Sequence, residues 1–165
     1  MTTVTETKVT TQVYRVYIKA SPQAIWDAIT KPEWAVRYGY KATVEYDLRP
    51  GGVYRSFATE QMKEMGASDV VVEGEVLEAD PPRKLVQTFR MLFEPDMAAE
   101  PLQRLTWEIE EEYGTSRLTV THELEGAPIH AALVNGDVPQ AGGGWPFILS
   151  DLKTLLETGK AFEEH

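Results

Sequence analysis

The stretch Gly142-Gly143-Gly144-Trp145-Pro146-Phe147-Ile148-Leu149-Ser150-Asp151-Leu152-Lys153-Thr154-Leu155-Leu156-Glu157-Thr158-Gly159 decides the fold of this chain. Trp145, Ile148, Leu149, Leu152, Leu155, Leu156 and Gly159 recur at the spacing of one face of a 3.6-residue period. Ser150, Asp151, Lys153, Thr154, Glu157 and Lys160 fall on the other face. The pattern predicts a long amphipathic helix, opened by a glycine run and a Trp-Pro pair. Apart from one short helix after Ser21, the sequence upstream reads as strands. A long helix that follows antiparallel strands must lay its apolar stripe across their sheet. Where the sheet curves around it, a cavity can remain between the two, and function would reside there.

Working outward from that helix, Arg104 to Tyr113 and Arg117 to Leu124 are expected as strands turning at Gly114-Thr115-Ser116. Val70 to Ala79 and Leu85 to Met91 form a second hairpin across Asp80-Pro81-Pro82-Arg83, and Ala42 to Leu48 and Gly52 to Thr59 a third across Arg49-Pro50-Gly51-Gly52. Val13 to Lys19 is the first strand. Ser21-Pro22 then supplies an N-cap and a first-turn proline for a helix that Lys31-Pro32 breaks, with one further turn over Glu33 to Val36. Gln61 to Ser68 reads as a polar hinge, residues 94–102 as a loop, and residues 125–139 as a loop with a helical piece around Ile129 to Val134. Residues 1–11 are a Thr-rich lead-in, leaving a single domain over 12–165. The fold class is α+β: a curved antiparallel sheet of six to seven strands around a C-terminal helix.

The chain has 165 residues, 26 acidic against 16 basic, a net charge of −10 and no cysteine. With a pI near 4.8, most of its surface repels polyanions, so neither nucleic acid nor membrane insertion is expected. Arg37, Lys41, Arg49 and Arg55 are read as scattered solvated cations rather than a basic patch. Without cysteine there is no disulfide, thiol nucleophile or cysteine-based metal site. The start of the chain lacks the basic and apolar parts of a signal peptide, so a cytoplasmic location is expected. No phosphate loop, nucleophile elbow or dinucleotide fingerprint is present. No metal, cofactor or catalytic residue is assigned.

Several strings resemble one family in order along the chain. They are Ala20-Ser21-Pro22-Gln23-Ala24-Ile25-Trp26-Asp27-Ala28 with Trp34 downstream, Asp47-Leu48-Arg49-Pro50-Gly51-Gly52, the run from Gly74 to Phe89, the run from Gly114 to His122, and the Gly144-Trp145 helix opening. Over residues 13–162 the sequence is similar to the SRPBCC superfamily, which includes START domains, the birch-pollen allergen group and bacterial polyketide cyclases. The branch it resembles is that of the activator of the heat-shock chaperone ATPase. The resemblance implies a helix-grip fold; its motifs are caps, turns and core contacts, and they do not fix an activity. Phe89 stands where relatives carry tryptophan, and the Gly126 to Gln140 loop is longer than usual.

Alternation assigns the faces of the strands. Leu118, Val120, His122 and Leu124 share one face, as do Leu105, Trp107 and Ile109, and Val70, Val72, Gly74 and Val76. A cavity bounded by Trp107, Val120, His122, Trp145, Leu149 and Leu152 is expected. Val72 and Phe89 join it, as do Tyr54 and Phe57 from a strand whose alternation is ambiguous. Trp34, Tyr38 and Tyr40 follow a helix break and are expected at its mouth. Gly74 is read as a bend that lets the sheet wrap the helix, and the glycine run as room for close helix-to-sheet approach. His122 is the one ionisable residue placed inside; a neutral, hydrogen-bonded core histidine is favoured over a general base. His130 and His165 are expected in solvent, and Glu108 and Glu110 outward.

These assignments point to a non-catalytic binder of a small hydrophobic or amphipathic molecule. A protein-interaction module with a chaperone or other protein partner, as the resemblance implies, is the second reading. A cyclase- or aromatase-type enzyme is the third.

Overall fold

The computed structural model describes residues 11–138 and 142–162. Most of the expected lead-in, His165 and the end of the 125–139 loop lie outside them. The first strand already begins at Thr11: β1 (Thr11–Ile18), followed by α1 (Pro22–Thr30) and α2 (Pro32–Ala35). Next come β2 (Val44–Tyr46), β3 (Val53–Phe57), α3 (Glu60–Glu64), β4 (Val70–Asp80), β5 (Lys84–Met91) and α4 (Pro95–Ala98). The chain continues through β6 (Gln103–Glu112), β7 (Thr115–Glu123), α5 (Pro128–Val134) and α6 (Gly144–Thr158).

The seven strands form one sheet in the order β1-β7-β6-β5-β4-β3-β2, every neighbouring pair antiparallel. Six of them are a meander in which each strand pairs with the next, through tight turns at β2–β3, β4–β5 and β6–β7 and through connections that hold α3 and α4 at β3–β4 and β5–β6. The first strand instead joins the far edge, beside β7, and α1 and α2 carry the chain across to β2. Ser21 starts α1 as its sequence suggests: the hydroxyl accepts the Ala24 N–H at 3.1 Å, with Pro22 in the first turn. This is the α+β helix-grip architecture.

Register sets the core. Leu105 faces His122, Trp107 faces Val120 and Ile109 faces Leu118, so the inward residues of β6 and β7 meet directly. Leu85 lies across from Trp107 and Gln87 across from Leu105. From the other side α6 brings Trp145, Leu149, Leu152 and Leu155, all buried. Val70 leaves the expected face: β4 shifts register beside Ser56 and Phe57, and Val70 pairs with Phe57 rather than continuing the Val72 row.

Two segments expected to be irregular contain helix. The first half of the Gln61 to Ser68 hinge belongs to α3, capped by Thr59, whose hydroxyl accepts the Met62 N–H at 3.2 Å. Residues 94–102 hold α4, which buries Met97. The helical piece expected around Ile129 to Val134 is α5. The α6 polar face also needs correction: Asp151 is 2% exposed. Its carboxylate accepts the Gly39 N–H at 2.9 Å and the Phe162 N–H at 2.7 Å, pinning the loop after α2 and the chain end to the helix.

Two glycines are explained by close approach. A Cβ on Gly144 would lie 2.2 Å from the Val134 carbonyl oxygen, at a φ of 66°. The glycine run thus fits α6 against the end of α5 rather than against the sheet. A Cβ on Gly74 would lie 1.9 Å from the Thr88 carbonyl oxygen. There the Thr88 hydroxyl accepts the Glu75 N–H at 2.8 Å, and the β4–β5 ladder is interrupted between the Glu73–Arg90 and Val76–Gln87 pairs. Gly74→Ala would force β5 away and should cost about 2–3 kcal/mol, as overpacking does. An unchanged melting temperature would show that the strands have room to part.

Candidate functional site

The inner face of the sheet and the start of α6 enclose a cluster of rings. Trp107 and Trp145 meet edge-on with centroids 5.3 Å apart. Phe89 lies 5.0 Å from the His122 ring and 6.3 Å from Trp145. Tyr54 stacks on Phe89 at 6.5 Å and lies tilted against Tyr46 at 4.7 Å. Tyr54, Val72, Phe89, Trp107, Val120, Trp145, Leu149 and Leu152 belong to one core, with His122 wedged among them.

Those side chains pack against one another. Of two hollows at the surface, one of about 270 Å³ lies over β3–β4–β5 and is lined by Tyr54 together with Arg55, Glu73 and Glu75, and one of about 260 Å³ lies beside Leu102, Arg104 and Glu123. Trp34 is half-buried beneath the Arg37 guanidinium, 5.1 Å above its ring. Tyr38 is buried, its hydroxyl donating to the Ala28 carbonyl at 2.9 Å. Tyr40 is 40% exposed; it stacks on Phe147 at 5.8 Å, and its oxygen accepts the Gly144 N–H at 3.0 Å. Phe57 sits at odd parity from Tyr54 and is outside the core cluster.

Two polar chains run through the cluster. The indole of Trp145 can only donate, so its 3.0 Å contact with His122 Nδ1 makes that nitrogen an acceptor. The proton of His122 is therefore on Nε2, which donates to Gln103 Oε1 at 3.0 Å; Gln103 Nε2 donates in turn to the Pro101 carbonyl at 2.7 Å. Burial, with His130 nearby, pushes the His122 pKa down to about 3. With its lone pair occupied and its charged form penalised, His122 is a neutral structural histidine. In the second chain Gln87 Oε1 accepts from the Tyr46 hydroxyl at 2.7 Å and from Trp107 Nε1 at 3.0 Å.

His130 departs from its expected place in solvent: it has no exposed surface. Its Nε2 accepts the Met91 N–H at 2.7 Å, and its Nδ1 donates to Glu100 Oε1 at 2.8 Å. Glu100 also accepts the N–H groups of Ile129 and His130, at 2.8 and 2.9 Å, and so caps the first turn of α5 from a remote loop. Burial drives the His130 pKa down, against the opposing pull of Glu100. Burial alone would raise the Glu100 pKa, but its hydrogen bonds bring it below the usual carboxylate value. The pair is a buried clamp, with no free nitrogen for chemistry.

Gln87 and Gln103 were legible only in part: both occupy inward parity, next to Leu85 and Phe89 or to Leu105. Glu100 and Asp151 gave no signal, because their partners are backbone groups remote in sequence. Outside the grip, Arg49 pairs with Asp47 at 2.8 Å and Arg55 with Glu45 at 2.9 Å, so these cations form no basic patch. Glu110 and Glu112 pair with Arg117 at 3.1 and 3.2 Å. Among the described residues no group of His, Asp and Glu is placed to hold a metal, and no helix is long and apolar enough to cross a membrane.

Among solved structures, CalU16 from Micromonospora echinospora is 20% identical, with a TM-score of 0.61 over 90% of this chain and 77% of that one. DynU16, a putative protein of the dynemicin biosynthetic locus, is 21% identical, with a TM-score of 0.67 over 92% of this chain and 49% of that one. The Aha1 dimer from Colwellia psychrerythraea is 17% identical, with a TM-score of 0.66 over 92% and 98%. These likenesses show the shared fold. No curated protein matches the sequence. The family model described as "Activator of Hsp90 ATPase homolog 1-like protein" matches residues 19–157. With its helix-grip fold and that match over most of its length, the chain belongs to the activator of Hsp90 ATPase homolog 1-like family, a branch of the SRPBCC superfamily.

Proposed function

We propose that this chain binds a small hydrophobic or amphipathic molecule between the sheet and α6, and that it does so without catalysis. The observation carrying this reading is the ring cluster of Tyr46, Tyr54, Phe89, Trp107 and Trp145 beneath the start of α6. Aromatic rings turn about two torsions, so a ligand enters as they swing aside and replaces their mutual contacts with its own. Trp34 and Tyr40, on the chain after α1, would form the rim of such a site, with Tyr38 buried behind them. Burying about 300 Å² of ligand apolar surface at about 25 cal/mol/Å² yields roughly 7 kcal/mol before association costs, enough for micromolar affinity. The enzyme reading is disfavoured because both buried histidines have their ring nitrogens occupied.

An apolar fluorescent probe should therefore bind the folded protein at about one per chain. Leu149→Trp, which fills space without adding charge, should weaken binding about tenfold, equivalent to about 1.4 kcal/mol. His122→Gln should retain most binding, since its amide can accept from Trp145 and donate to Gln103 as the imidazole does. If no apolar probe binds, the grip is merely core.

The family supports a protein-interaction role as the second reading, since its description is that of a chaperone-ATPase activator homologue. Capture of a chaperone that persists when the interior is occupied would favour it.

A further inference from the structure

The β3 end of the inner face is more polar than a sealed core requires. Gln87 has no exposed surface. Both partners of its Oε1, the Tyr46 hydroxyl and the Trp107 indole, donate to it, so the carboxamide is fixed in orientation. Its Nε2 is left with a 3.5 Å contact to the Thr88 carbonyl, the outer limit of a hydrogen bond. Tyr54, tilted against Tyr46, is 7% exposed. Its hydroxyl makes no hydrogen bond to a described residue, whereas those of Tyr38 and Tyr46 are occupied.

A buried polar group without a partner is uncommon and calls for a cause. Among the described residues, the unpartnered side-chain atoms that are wholly occluded are Arg90 Nε and Arg117 Nε. The Tyr54 hydroxyl is not among them, so it borders space that a water-sized group reaches. Burial raises its pKa well above the ordinary phenol value, which keeps it a donor. The buried polar side chains of the strands are Ser56, Gln87, Gln103, Ser116, Thr119 and His122, none of them charged at neutral pH.

Resting on the ligand-binding reading above, we propose that the Tyr54 hydroxyl, seconded by the Gln87 amide, anchors the carbonyl oxygen of a flat, uncharged, mainly apolar ligand. Two donors with spare capacity select an acceptor. On the inner face the buried strand residues offer no counter-charge, which disfavours an ionised ligand there; the charged residues beside Tyr54, Arg55, Glu73 and Glu75, line the outer hollow instead. The ring faces of Tyr46, Phe89 and Trp107 suit a planar body.

The test compares prodan, a flat naphthalene ketone, with a dimethylaminonaphthalene that lacks the carbonyl. Wild-type protein should bind both, prodan more tightly. Tyr54→Phe removes a hydroxyl with no protein partner, so the fold should stay cooperative. It should lower prodan affinity about three- to tenfold, the range of one neutral hydrogen bond, and leave the carbonyl-free probe unchanged. Bound prodan emission should also shift to the blue as its carbonyl loses a donor. An equal effect on both probes, or none on either, overturns the anchor while leaving the ligand-binding reading in place. Failure of both probes to bind the wild-type protein overturns that reading and the anchor with it.

Discussion

Leu152→Asp should abolish cooperative folding, while Lys153→Asp, one residue on, should cost no more than about 1 kcal/mol. Leu152 has no exposed surface and lies between buried Leu149 and Leu155 on the stripe of α6. Truncating a buried leucine costs about 2–5 kcal/mol, and an unpaired buried carboxylate adds several more or is forced to protonate. Against the 5–15 kcal/mol typical of a domain, the sum approaches the whole (about half to all). Lys153 lies at the surface, its ammonium 2.7 Å from the Tyr17 carbonyl and 2.7 Å from Glu157. Asp at that position loses both contacts and repels Glu157, but water screens the new charge. Urea melts of the two variants decide the matter. Equal midpoints would mean that α6 does not pack on the sheet through this face.

Stability should fall steeply as pH drops from about 6.5, the ordinary pKa of an unfolded histidine. The folded-state pKa of His122 is pushed down to about 3. Between those values the unfolded chain binds a proton that the folded chain refuses, so folding weakens as pH falls. One such histidine gives a slope of about 1.4 kcal/mol per pH unit, and the full window is worth about 5 kcal/mol. His130 is shifted in the same direction and steepens the slope. Glu100 is held below its ordinary value, so its contribution is present above the unfolded carboxylate pKa and is lost as pH falls through the folded one. All three act with one sign. Denaturant melts at a series of pH values from neutrality downward would reveal the slope, and His122→Gln should flatten it by about one proton. A flat profile across mildly acid pH would show that the buried histidines are not held neutral.

The residues that define α6 were legible because helical periodicity is local: a repeat of Trp145, Leu149, Leu152 and Leu155 needs only the chain itself to be recognised. Hairpins were equally legible, since Arg49-Pro50-Gly51-Gly52 and Gly114-Thr115-Ser116 set turn geometry within a few residues. Strand alternation placed Leu105, Trp107, Val120 and His122 together, as their cross-strand pairing shows. His122 lies buried and hydrogen-bonded, as the favoured reading of the sequence expected, though its partners Trp145 and Gln103 could not be named from the sequence.

What the tertiary structure alone decided are interactions whose two halves lie far apart in the chain. His130 looked like a loop residue until Glu100, 30 residues away, closed on it and on the first turn of α5. Asp151 looked like a solvated helix residue until two backbone N–H groups, from Gly39 and Phe162, converged on its carboxylate. The expected cavity was likewise a matter of tertiary packing. Alternation says which way Phe89, Trp107 and Trp145 point, but not whether their rings stand apart or fill the space between them. That depends on how closely the helix and strands approach one another, which contacts between segments remote in sequence set, such as Gly144 against Val134 and Gly74 against Thr88, rather than any periodicity. The sequence by itself therefore determined the elements, their order and their apolar faces, because those follow from local backbone geometry. The partners of the buried histidines, the packing of the rings around Phe89 and the free Tyr54 hydroxyl were decided only by the fold, because burial and partnership are properties of the packed chain.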